Sequence, residues 1–315
     1  MSNNPVISVV VPVFNEQGNI PHLLERLNTV FEKLELTHEF ILVDDGSSDG
    51  SWVEIVEQTN KYSSLVGMRL SRNFGHQHAL LAGLRRAKGD AVISMDGDLQ
   101  HPPELLPELV EAWQRGAQVV LTERTYPQKT SWWKKTTSRY FYSVYSFLAE
   151  TPLSPGASDF RLLSKKALNA LLQYRHAKLF LRGAIANIGF PAETVSFEAD
   201  ERFQGDSKYS LKKMVKFAAS GLLSQSTFPL RLGIWIGMFT GVLGLVQLGY
   251  VLMQFWLGNT VPGWASTVAL TSILFSVLFF ILGLLGLYVE DIHKLLKNHP
   301  HFIIENEVSG KPDHD

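Results

Sequence analysis

The pair Asp96-Gly-Asp98, in concert with Asp44-Asp45, carries the sequence's clearest chemical signal. Two carboxylates flanking a glycine just past an apolar strand can hold a hard divalent cation and leave positions open for phosphate oxygens. Such a cation would neutralise a leaving diphosphate, which is Lewis-acid work. Taken alone, Asp-X-Asp also occurs as a helix or turn cap; a second acidic pair at a neighbouring strand end favours the metal. Asp45-Gly-Ser-Ser-Asp-Gly50 begins like an EF-hand loop, but position twelve is Val56 where a bidentate Glu is required. There is no Gly-X-Gly-X-X-Gly after the first strand and no P-loop, so dinucleotide and P-loop NTPase readings lose their support.

The elements that must position these residues follow from hydrophobic pattern. Apolar β-rich runs fall at Val6–Val11, Phe40–Val43, Leu65–Leu70, Ala91–Met95 and Gln118–Thr122. Amphipathic stretches between them predict helices near Ile20–Leu34, Ser51–Tyr62, His76–Ala87 and Pro103–Arg115. Strand–helix alternation at this spacing predicts a doubly wound, mostly parallel α/β sheet with helices on both faces. In such sheets ligands bind beyond the carboxyl ends of the strands, where the acidic clusters lie.

The 315 residues sum to a net charge of −1 and contain no cysteine. That neutrality is a cancellation: residues 1–124 carry −7, residues 125–231 carry +9 and residues 232–315 carry −3. Near-zero net charge argues against a nucleic-acid binder. Leu232–Leu257 and Gly263–Val289 contain no Asp, Glu, Lys or Arg, and each is long enough to cross a bilayer. Lysines and Arg231 flank the pair while the connector is uncharged, so both flanks are expected in the cytoplasm. Upstream, Leu211, Met214, Val215 and Ala218 share one helical face, with Lys212, Lys213 and Lys216 opposite and Phe217 at the apolar margin. This is the pattern of an interfacial helix on anionic lipid; Ser131–Tyr142 is a second candidate. The polar tail from Asn298 is expected to be disordered. The expected domains are a catalytic head over 1–205, an interfacial region over 206–229, two membrane helices within 230–290 and a cytoplasmic tail over 291–315.

In order, VVVPVFNE, VDDGSSDGS, NFGHQHALLAGL, MDGDLQHPPE and SDFRLLSKKAL resemble the family 2 glycosyltransferases of GT-A fold. More narrowly, they resemble polyisoprenyl-phosphate glycosyltransferases, and the two-helix anchor is similar to the bacterial, undecaprenyl-phosphate branch. No Gln-X-X-Arg-Trp motif is present, which counts against processive polysaccharide synthases. The resemblance implies that Pro12, Asn15 and Glu16 form the nucleotide pocket and that Asp44 and Asp45 contact base and ribose. It implies Asp96 and Asp98 on Mg²⁺ or Mn²⁺ and the diphosphate, Gln100 beside the donor sugar, and Asp159 as the catalytic carboxylate. Arg124, Arg161, Arg202, Lys208 and Tyr209 are candidates for donor diphosphate or acceptor phosphate. His76, His78 and His101 read as structural or pocket-lining. The implied activity is inverting transfer of a hexose, glucose from UDP-glucose first, to a polyprenyl phosphate at the cytoplasmic membrane face. Other expectations are a GDP-mannose, UDP-N-acetylhexosamine or UDP-aminopentose donor, a sugar-nucleotide-binding protein without turnover, and a homo-oligomer formed through the membrane elements.

Overall fold

In a computed structural model, residues 6–125, 157–174, 181–198, 228–258, 263–297 and 300–310 are described. The strands are β1 (Ile7–Val13), β2 (His38–Asp44), β3 (Leu65–Leu70), β4 (Ala91–Ser94), β5 (Val119–Thr125), β6 (Ala157–Ser164), β7 (Ala192–Glu198) and β8 (Ile304–Ser309). The helices of the head are α1 (Ile20–Leu34), α2 (Ser51–Thr59), α3 (His76–Arg86), α4 (Leu106–Gln114, entered through a 3₁₀ turn), α5 (Lys165–Leu171) and α6 (Leu181–Asn187). All five strands expected from the apolar runs form within two residues of their predicted starts. The strands lie in one sheet, in the order β7-β5-β6-β4-β1-β2-β3-β8.

β1 pairs in parallel with both β2 and β4, so the strand order reverses at β1. That reversal opens a crevice at the carboxyl end of β1. β6 runs antiparallel between β4 and β5, and β8 antiparallel on β3. Alternate residues of the central strands serve the two faces, as a pleat requires. Val9, Val11, Phe40 and Leu42 pack with Leu23, Leu24 and Leu27 of α1 and Leu109 of α4. Val10, Ile41 and Val43 pack with Ala79, Leu80 and Leu84 of α3 and Leu168 of α5. In α1 the buried set Ile20, Leu23, Leu24, Leu27 and Phe31 follows the i, i+3, i+4, i+7 stripe of an amphipathic helix.

One expectation is overturned. Residues 304–309 of the tail are an ordered strand, because the alternating run Ile304-Glu-Asn-Glu-Val-Ser309 finds the open edge of β3. An unpaired edge is a row of unmet donors and acceptors, and β8 satisfies it.

The chain divides into two compact units; the second comprises chiefly residues 211–298. Its described part is α7 (Phe228–Trp256) and α8 (Trp264–Leu296), 29 and 33 residues long. Gly233–Trp256 and Ile273–Glu290 are long and apolar enough to cross a membrane. Trp235, Phe239, Phe255, Phe279 and Phe280 are exposed on them. Neither stretch is buried by the described residues.

Candidate active site

The backbone beyond β1 turns sharply: Asn15 adopts a left-handed conformation (φ 57°). Its side chain compensates by accepting a hydrogen bond from the Ser48 amide at 2.9 Å, while its own amide donates to Ser47 Oγ at 2.9 Å. The Glu16 amide donates to Ser51 Oγ, 2.9 Å. Asn15 and Glu16 thus weld the β1 turn to the loop after β2. Within that loop Gly46 has φ 67°, and a Cβ there would lie 2.5 Å from the Arg72 carbonyl carbon. Only glycine fits.

Pro12, Val13, Phe14, Asp45, Asn73, Gly75 and His76 line a cleft of about 190 Å³ at the crevice. The Asp45 carboxylate accepts from the amides of Phe74 (2.8 Å) and Gly75 (2.9 Å), fixing the opposite wall. Burial pushes its pKa up, and those two amides work against the rise. The expectation that Asp44 contacts the donor is corrected: it is wholly buried. One oxygen accepts the Ser47 amide at 2.9 Å and the other faces Arg69 Nε at 3.6 Å, so it is an internal strut.

The antiparallel register of β6 on β4 pairs Ser94 with Arg161. Continuing two residues in each direction brings Asp159 alongside Asp96, which explains why a residue 63 positions away joins the Asp-X-Asp loop. Asp159 is buried and carries a dense set of cations. Arg161 donates to Oδ1, and Arg182 of α6 grips both oxygens, Nε to Oδ1 at 3.0 Å and Nη2 to Oδ2 at 2.9 Å. Burial alone would raise the Asp159 pKa. Arg161, His76 and Arg182 outweigh it and hold the carboxyl well below its usual range.

His76 Nε2 lies between two carboxylates, 3.4 Å from Asp96 Oδ1 and 3.7 Å from Asp159 Oδ2. Burial lowers its pKa, but the two aspartates prevail and the net shift is upward. His101 pins the same loop from beneath. Its Nδ1 accepts the Asp96 amide (3.0 Å), which assigns the proton to Nε2, donating to Ser158 Oγ at 2.7 Å. Its ring stacks on Phe160.

The residues present suit a divalent cation. Asp96 Oδ1 is buried without a hydrogen bond among the described residues, and Asp98 is half-buried with one oxygen accepting the Gln100 amide at 3.2 Å. No group of three metal-ligating side chains occurs among the described residues, so a cation here would complete its shell with phosphate oxygens and water.

The site therefore unites Pro12, Asp45, Asp96, Asp98 and Asp159, with Asn15, Glu16 and Gln100 bracing it. Arg161 is corrected from a phosphate ligand to an internal counter-ion: it is 3 % exposed and spent on Asp159. Arg124 falls in β5, in register with Phe197. Arg202, Lys208, Tyr209, Lys212, Lys213, Lys216 and Phe217 lie outside the described residues, as does Ser131–Tyr142. Sequence reasoning missed Arg182, which has no local motif, and saw His76 as pocket-lining without its bridging position.

Clustered carboxylates and cations at the crevice of this sheet define a GT-A glycosyltransferase. The family model for glycosyl transferase family 2 matches residues 8–188, and the chain belongs to that family. It is 33% identical over 307 residues to the SfII prophage-derived bactoprenol glucosyl transferase of Shigella flexneri, covering 97% of this chain and 99% of that one. An uncharacterized glycosyltransferase of Synechocystis is 35% identical over 303 residues, 95% of each chain. Among solved structures, glucosyl-3-phosphoglycerate synthase of Mycobacterium tuberculosis matches at a TM-score of 0.51 and 19% identity, covering 70% of this chain and 81% of that one. That likeness speaks to the fold.

Proposed function

We propose that this glycosyltransferase moves glucose from UDP-glucose to a polyprenyl phosphate, with the head on the cytoplasmic face of the bacterial inner membrane. The observation carrying this reading is the end-to-end match to a bactoprenol glucosyl transferase, apolar helices included. The lysine-flanked helix pair supports a membrane-held enzyme whose acceptor is a lipid.

In the reaction, an oxygen of the lipid phosphate attacks the anomeric carbon as the bond to the nucleoside diphosphate breaks, inverting the centre. A phosphate monoester has its second pKa near 6, so the attacking group is already largely anionic at neutral pH, about −1.5 to −2. A general base has little to remove. Asp159 suits that economy: held well below the usual carboxylate range by its arginines, it is a weak base and a strong anchor. Its part is to orient Arg182 and His76 toward the place where two anionic groups meet. Fixed cations there stabilise charge without reorganising. Asp96 and Asp98 would hold Mg²⁺ or Mn²⁺, which when bound supplies neutralisation of the leaving diphosphate. The Phe14–Asp45–Asn73 cleft takes the nucleoside.

Purified full-length protein incubated with undecaprenyl phosphate, Mg²⁺ or Mn²⁺ and a panel of nucleotide sugars tests this. A glucolipid from UDP-glucose is expected. A different lipid-linked sugar would change the donor, and no lipid product with any donor would overturn the activity.

A further inference from the structure

The stretch that follows the second apolar helix grips the elements forming one wall of the cleft. Seven residues, 297–303, separate the end of α8 from β8. The Ile303 carbonyl accepts the Ser71 amide at 3.0 Å, at the root of the loop that carries Asn73 and Gly75. Along α3, His301 stacks on His78 (6.0 Å), Phe302 lies under the Arg85 guanidinium (5.5 Å), and Glu307 pairs with Arg86 Nε at 2.7 Å. Those contacts run from the first turn of α3 to its last. The first residue of α3 is His76, the bridge between Asp96 and Asp159. Beneath, Glu305 and Asp44 flank Arg69 Nε on either side, each at 3.6 Å, so a charge row runs from the exposed strand to the buried base of the Asp44–Gly50 loop.

We infer that residues 301–310 are a positioning element of the donor site. They splint α3 and the 71–75 loop, so the strand returning from the membrane helices sets the geometry of the nucleotide cleft. Its residues touch neither the cleft nor the catalytic carboxylates. Their effect passes through Arg69, Arg86 and the Ser71 amide. The inference rests on reading the cleft as the donor site, and its structural half stands apart from that reading.

Two full-length variants release the strand without altering the cleft. Glu305→Gln with Glu307→Gln removes both ion pairs. Gly310→Ala forces a Cβ to 2.4 Å from the Tyr62 carbonyl oxygen, which expels the end of the strand. Deleting residues 300–315 secures release where the point variants leave the strand docked; where that deletion fails to fold, the point variants decide. Faster amide exchange at Val66–Leu70 reports release. The expected result is faster exchange at Phe74 and Gly75 as well, although Asp45 still faces them. Donor KM should rise about tenfold with kcat at saturating donor within about twofold. Release of β3 with unchanged exchange at Phe74 and Gly75 and unchanged donor KM would overturn the inference. Wild-type protein inactive with every donor sinks the functional reading alone, because the exchange measurement uses no donor.

Discussion

At the scale of single residues, the Asp159 carboxylate is shared by a buried arginine, a half-open arginine and an imidazole. Replacing it with Asn keeps the shape and removes the charge. Arg161, buried beside it, is then left uncompensated, and breaking a buried pair this way costs about 3–5 kcal/mol. Activity should fall by about a hundredfold or more. Raising the pH should not restore it; recovery at high pH would show that proton removal is the missing function. Arg182→Lys is a gentler probe. A lysine cannot reproduce the two-point grip, and loss of a charge-assisted bond of about 1.5–3 kcal/mol predicts a fall in kcat of about ten- to a hundredfold. The melting temperature should fall by a few degrees at most, since Arg182 is about one-third exposed and a lysine keeps the positive charge. Asp96→Asn should abolish Mn²⁺ binding measured by titration, independently of turnover. Asp96 and Asp98 can be singled out because they follow a predicted strand within a short motif, whereas Asp159 is reached only through the resemblance of its Ser158–Leu162 motif to the family. Arg182 is reached by neither, because what selects it is the meeting of the start of α6 with Asp159, 23 residues earlier in the chain, and no local pattern records that meeting.

At the scale of elements, β2 carries a titration that the fold resists. His38 packs against the rings of Phe31 and Phe40, with centroids 4.6 and 4.7 Å away. Burial lowers its pKa below 6.5, and the Nδ1 bond to the Leu36 carbonyl only partly opposes this. Between the lowered folded value and 6.5 the unfolded chain binds more protons, so this residue makes stability rise with pH across that window and level off above it. Denaturant midpoints at pH 5 and pH 8 should therefore lie closer together for His38→Phe than for the wild type. An unchanged difference would count against the lowered His38 pKa. Strands β1 to β5 and helices α1 to α4 could be read from the sequence because apolar runs of four to six residues alternate with amphipathic stretches of helical period. β8 escaped that reading: only Ile304 and Val308 are apolar in it, and its pairing is supplied by an edge more than two hundred residues earlier. The antiparallel insertion of β6 is equally invisible locally, since the register with β4 is a choice made in three dimensions.

At the scale of the whole molecule, the separation of charge along the chain finds its counterpart in a head rich in ordered carboxylates and a pair of helices whose 232–257 and 263–289 stretches carry no charge. The absence of cysteine makes the proposed orientation directly measurable. Asn259→Cys, in the connector between the apolar helices, should react with a membrane-impermeant maleimide added to intact spheroplasts. Glu57→Cys in the head should react only after lysis. The reverse pattern would invert the topology and remove the head from its nucleotide supply.

The antiparallel seam between β3 and β8 also dictates an order of manufacture. A ribosome completes residues 65–70 long before residues 304–309, and both apolar helices are made in between. Until the last strand emerges, β3 presents a bare edge of the kind that recruits other chains. The sheet is therefore sealed only after the hydrophobic segments have left the ribosome. A chain cut short within those segments leaves β3 with an open edge that can pair with other chains.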